Sequence, residues 1–143
     1  MLGDIRPFFR TRMAVLGLDE HDDGFNVENI AATRLENSFH IGLPSFSGIS
    51  NSQDNQTISS VVLLTLFFRG TRDSNEGVDN ALSKIDEVLD DLVNAENRLR
   101  SDIGILDVSL TDGTIEQLGD TNDNAIKAIL DFKVLTVFST RRK

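Results

Sequence analysis

The chain has 143 residues, a formal charge of −9 at neutral pH, and no cysteine, tryptophan or tyrosine. At about 150 residues per domain that is one domain with one core, and its 39% apolar content and ten glycines fit an ordinary globular chain. The absence of cysteine excludes disulfides, thiolate nucleophiles and cysteine-held metal centres, and the acidic balance argues against a protein that coats nucleic acid, which needs a positive field.

Residues 1–12 carry Asp4, Arg6, Arg10 and Arg12 and read as no signal peptide. The longest mostly apolar run, 61–68, falls far short of the roughly 20 residues of a membrane helix, so a soluble product is expected. A first helix is expected over 4–18. Ile5, Phe9, Met13 and Leu16 recur at helical spacing, Asp4 stands as N-cap, and Pro7 is tolerable in the first turn. Gly17 or the acidic stretch 19–24 ends it. That stretch reads as a solvated loop, with Asp19, Glu20, Asp22 and Asp23 as a lesser candidate cation site.

Residues 25–36 show no clean period. Over 38–43, Phe39, Ile41 and Leu43 alternate with polar or small neighbours, which predicts a strand. Residues 44–56, rich in Ser, Asn and Gln, read as a flexible connection. The β-branched and aromatic run 57–69 predicts a long strand, and its second half is apolar on both faces, so it must be covered twice, by helices or by another subunit. Residues 73–100 predict the clearest helix, with Val78, Leu82, Ile85, Leu89 and Leu92 on the buried stripe, Ala81 and Val88 widening it, and Asp79, Asp86, Glu87, Asp90 and Asp91 on the outer face. Alternation predicts further strands at 103–111 and 125–138, with turns at 111–113 and 119–124. The expected fold is thus α+β in the order α-β-β-α-β-β, with a mainly antiparallel four-stranded sheet built from 38–43, 57–69, 103–111 and 125–138, beside an N-terminal helix and a long central one.

Motifs for chemistry are scarce. His21 and His40 have no partner histidine at metal-ligand spacing, and there is no nucleophile elbow, phosphate loop, dinucleotide glycine pattern or zincin motif. Residues 120–124 (DTNDN) imitate the start of a calcium loop. Ala125 stands where glycine is required and Asp131 falls inside a predicted strand, so a turn is the better reading. No catalytic residue, metal or cofactor is therefore expected. Asn55-Gln56-Thr57 matches a glycosylation acceptor without a secretory context. Cations gather in three places: Arg6, Arg10 and Arg12; Arg69 and Arg72; and Arg141, Arg142 and Lys143. They read either as solvated element ends or as contacts to an acidic neighbour, and with Phe67 and Phe68 they form the candidate interface set.

Taken together, several stretches resemble the tail terminator proteins of long-tailed bacteriophages, the lambda type in particular. They are 14–18 (AVLGL) ending the first helix, 25–30 (FNVENI) leading into 35–41 (LENSFHI), and a Ser/Asn-rich gap before the strand 61–69. A long amphipathic helix at 75–99, an apolar strand from 103 onward, and 121–124 (TNDN) before a last strand complete the pattern. The resemblance implies a virion protein made in the host cytoplasm that catalyses no reaction. It forms a hexameric ring that caps the tail tube, stops its polymerisation and joins the tail to the head connector. Its implied partners are further copies of itself, the tail tube protein and the head–tail connector or neck proteins; genomic DNA passes through the lumen without specific binding, and no membrane is involved. The alternatives are another neck component, such as a head completion protein or tail adaptor, and a small ligand-binding or enzymatic α+β domain.

Overall fold

The computed structural model describes residues 2–20, 37–51, 55–69, 74–93, 104–118 and 125–139. The chain is α+β. A 3-10 turn, Leu2–Asp4, leads into helix α1, Ile5–Val15. Short strand β1, Asp19–Glu20, is followed by β2, Ser38–Asn51, and β3, Asn55–Arg69. Helix α2, Ser74–Val93, precedes β4, Ile105–Leu118, and β5, Ala125–Ser139.

The sheet has five strands in the order β1-β2-β3-β5-β4, with β1 parallel to β2 and every other pair antiparallel. Sequence reasoning omits β1 because a two-residue strand has no period to read. The 44–56 connection is corrected too. β2 runs on to Asn51 and β3 begins at Asn55, so most of that polar stretch is paired backbone. Ser47 stands opposite Ser59 and Ser50 opposite Thr57, cross-strand polar pairs whose backbone hydrogen bonds need no core. The expected turn at 111–113 is instead a β-bulge within β4, between Leu110 and Asp112. There the Gly113 N–H donates to Asp112 Oδ1 at 2.9 Å, and Thr111 Oγ1 donates to the Asp131 carbonyl at 3.0 Å. Strands of 14 and 15 residues would reach about 50 Å, far beyond the usual strand.

Register assigns the faces. Val62, Leu64, Leu66 and Phe68 of β3 lie opposite Phe132, Leu130, Ala128 and Ile126 of β5, and all eight are buried. This is the helix side. α1 contributes Ile5, Phe8, Phe9 and Met13, and α2 contributes Ala81, Ile85, Val88 and Leu92, to the same core. Phe9 meets Phe132 with ring centroids 5.7 Å apart. The stripe on α2 is centred on the residues expected only to widen it. Ala81 and Val88 are central, Val78 and Leu89 are partly buried, and Leu82 is 44% exposed, because the 81-85-88-92 row points straight at the sheet.

The end of α1 is closed by a Schellman motif. Gly17 takes a φ of +83°, its N–H donates to the Ala14 carbonyl, and the Leu18 N–H donates to Met13. Leu18 and Met13 are both buried, which supplies the apolar contact that usually accompanies the motif. Lys84 Nζ adds a bond of 2.7 Å to the Leu16 carbonyl, so a cation of α2 satisfies the negative end of α1. At the other end Asp4 occupies the N-cap position without a side-chain capping hydrogen bond, contrary to the role read from sequence.

Candidate assembly surfaces

The first cation cluster is engaged within its own chain. Arg10 Nε donates to Glu20 Oε2, and Arg6 lies 4.0 Å from the same carboxylate, so β1 is tied to α1. Arg12 reaches α2 instead. Its Nε and Nη2 donate to the two oxygens of Asp91 at 2.8 and 2.5 Å, a two-pronged pairing that raises the arginine pKa through hydrogen bonding to Asp91. Arg69 ends β3. Arg72, Arg141, Arg142 and Lys143 lie outside the described residues, as do the 119–124 turn and the unpatterned stretch 25–36.

Phe67 and Phe68 are both buried by the chain itself, Phe68 in the helix-side core and Phe67 on the opposite face. A strand alternates its side chains, so the two phenylalanines could not share one surface. As interface candidates they are replaced by residues that remain exposed.

Three surfaces stand out. The first is the sheet face turned away from the helices, where Val61 is exposed and Leu63, Ile129, Leu135 and Val137 are half-buried. Lys127, on this face, pairs with Glu116 at 3.5 Å, and Lys133, six residues further along β5, is exposed. The second is a groove of about 640 Å³ between the last turns of α2 and strand β4, lined by Leu89, Asp90, Val93 and Leu110. The third is Phe46, 61% exposed on β2 at the opposite end of the strand order. Sequence reasoning missed Phe46 by taking 44–56 as a connection. The signal was an apolar residue alternating with serines over 45–47.

A pocket of about 280 Å³ lies between the end of α1, the start of β2 and α2, lined by Gly17, Asn37, Phe68, Gly77, Asn80, Ala81 and Lys84. The cation among its described lining residues, Lys84, is already bonded to Leu16 and lies 3.0 Å from Glu87. Among the described residues no three His, Asp or Glu side chains gather as a metal site. Glu20 is paired with arginines, His40 lies in β2 opposite Thr65, and Asp131 sits inside β5 opposite Leu63. His21, Asp22 and Asp23 lie outside the described residues. No described helix is long and apolar enough to cross a membrane.

No family model matches the chain, and no curated protein matches it either.

Proposed function

We propose that this chain is a structural subunit that assembles into a ring, in the manner of the phage tail terminators it resembles, and acts by contact rather than by catalysis. The observation that carries the reading is the sheet. Its two described helices lie on one side, and its other face, buried at Phe67 and Ser38, presents Val61, Leu63, Ile129, Leu135 and Val137 beyond them, partly exposed aliphatics on strands much longer than a core requires. Such a surface gains by being covered with protein, at about 25 cal/mol per Å² of apolar area removed from water.

In this reading a hexameric ring caps the tail tube, ends its polymerisation and offers the head connector a joint. Each subunit brings a net −9, and acids turned toward the lumen would keep DNA phosphates from adhering as the genome passes. The test is where the protein sits and what it does to tubes. Labelled chain on purified tails should mark the head-proximal end alone, and adding it to polymerising tube protein should shorten the tubes. Label on the head vertex of tail-less heads instead would favour a head completion protein. Label at neither site would overturn the reading.

A further inference from the structure

We infer that neighbouring subunits join edge to edge, with Phe46 of one β2 seated in the groove between α2 and β4 of a second copy. The inference rests on the ring reading above and names the contact that closes the ring.

Four observations lead to it. β4 and β2 stand at or near opposite edges of the sheet, and β1 covers only Ser38 and Phe39 of β2, so long stretches of both strands have no partner strand within the described residues. Their directions fit. Along the order β2-β3-β5-β4 each neighbour is antiparallel, so β4 of one copy meets β2 of the next as another antiparallel pair and the sheet continues. Their heights also fit. Phe46 lies opposite Ser60, Ser60 opposite Val134, and Val134 opposite Val108, so Phe46 shares a cross-strand row with Val108 and lies one step from Leu110. A neighbour added without slip along the strands therefore brings its Phe46 beside the exposed Leu110 and Val93 of the groove. Finally, the charges select the pair. β4 carries Asp107, Asp112 and Glu116, whereas β2 carries no carboxylate, so β4 against β4 sets acids facing acids and β4 against β2 does not.

The bulges suit this contact. Those after Gly42 in β2 and after Leu110 in β4, with Pro44 beside the first, interrupt a continuous backbone ladder and discourage slipped or indiscriminate pairing. The aromatic side chain and its groove then set the register. An exposed aromatic filling an apolar groove is the usual form of an interface anchor.

The experiment uses the absence of cysteine. Phe46→Cys and Leu110→Cys are introduced together and singly, and treated with a bis-maleimide too short to link them within one chain. Three strand spacings, about 14 Å, separate the two positions there. The double variant should give a ladder of cross-linked multimers ending at the ring's copy number, and each single variant should give none. Phe46→Asp should raise the subunit concentration needed for assembly at least about tenfold while the melting transition of the subunit stays in place. An unmodified chain that assembles, with no cross-links in the double variant and normal assembly of Phe46→Asp, overturns this contact and leaves the ring standing. An unmodified chain that stays monomeric at every concentration overturns the ring itself.

Discussion

Arg12 reaches across from α1, and its fork on Asp91 ties two helices that touch the sheet at different strands. Both side chains are more than four-fifths buried, so the pair is screened less than a surface ion pair. Arg12→Ala should cost about 1–3 kcal/mol, and a double-mutant cycle with Asp91→Ala should show a coupling of about 0.5–3 kcal/mol. Zero coupling would mean the helices are held by packing alone. The sign with pH follows from the raised arginine pKa. The stabilisation is present in full below the ordinary arginine range and is lost only as pH climbs through the raised value, so alkaline titration to mildly basic pH should leave it intact. Ser60 and Thr136 present the reverse case. Both hydroxyls are buried and neither has a hydrogen-bond partner. Thr136→Val keeps the shape and removes an unsatisfied polar group, so it should stabilise by about 1 kcal/mol, read as a higher midpoint in urea. A lowered midpoint would show that the hydroxyl is satisfied in solution.

Among the elements, α2 has the most direct energetic test. Ile85 lies on the buried row and Leu82 does not, so Ile85→Ala should cost about 2–5 kcal/mol and Leu82→Ala under about 1 kcal/mol. Equal losses would return the stripe to the one read from sequence. α2 and the last strand were legible through their periods, apolar residues every three or four positions in α2 and alternation from Ile126 to Val134 broken only at Ile129 in β5, and the long β3 through its β-branched and aromatic run. β2 and β4 were legible only in part, since beyond Leu43 and Leu110 their residues turn polar and bulges break the alternation. Composition speaks of burial. It is silent about backbone pairing outside the core, so a serine-rich strand looks like a loop. The candidate site suffered for the same reason. The arginines of α1 were visible as a cluster, but their acids, Glu20 and Asp91, are brought to them by tertiary packing that no spacing encodes. Phe46 was hidden inside the stretch taken for a connection.

At the scale of the whole molecule, the two described helices pack on one face of a sheet whose other face is partly apolar, and most of β2 and β4 has no partner strand on its outer side among the described residues. Heterologous contact between such edges generates either a closed ring or an open filament, and closure depends on the rotation between neighbours. Because the subunits share a negative charge, raising salt should strengthen their association until the few cross-subunit pairs are themselves screened. A steady weakening from the lowest salt upward would instead mark an interface dominated by opposite charges. Ring assembly requires that copies of this chain close on themselves. Native mass spectrometry of the purified chain over a range of concentrations measures that directly. One discrete closed species, a hexamer, is the expected result in place of a ladder of sizes. A monomer throughout, or an unbounded series of oligomers, would contradict it.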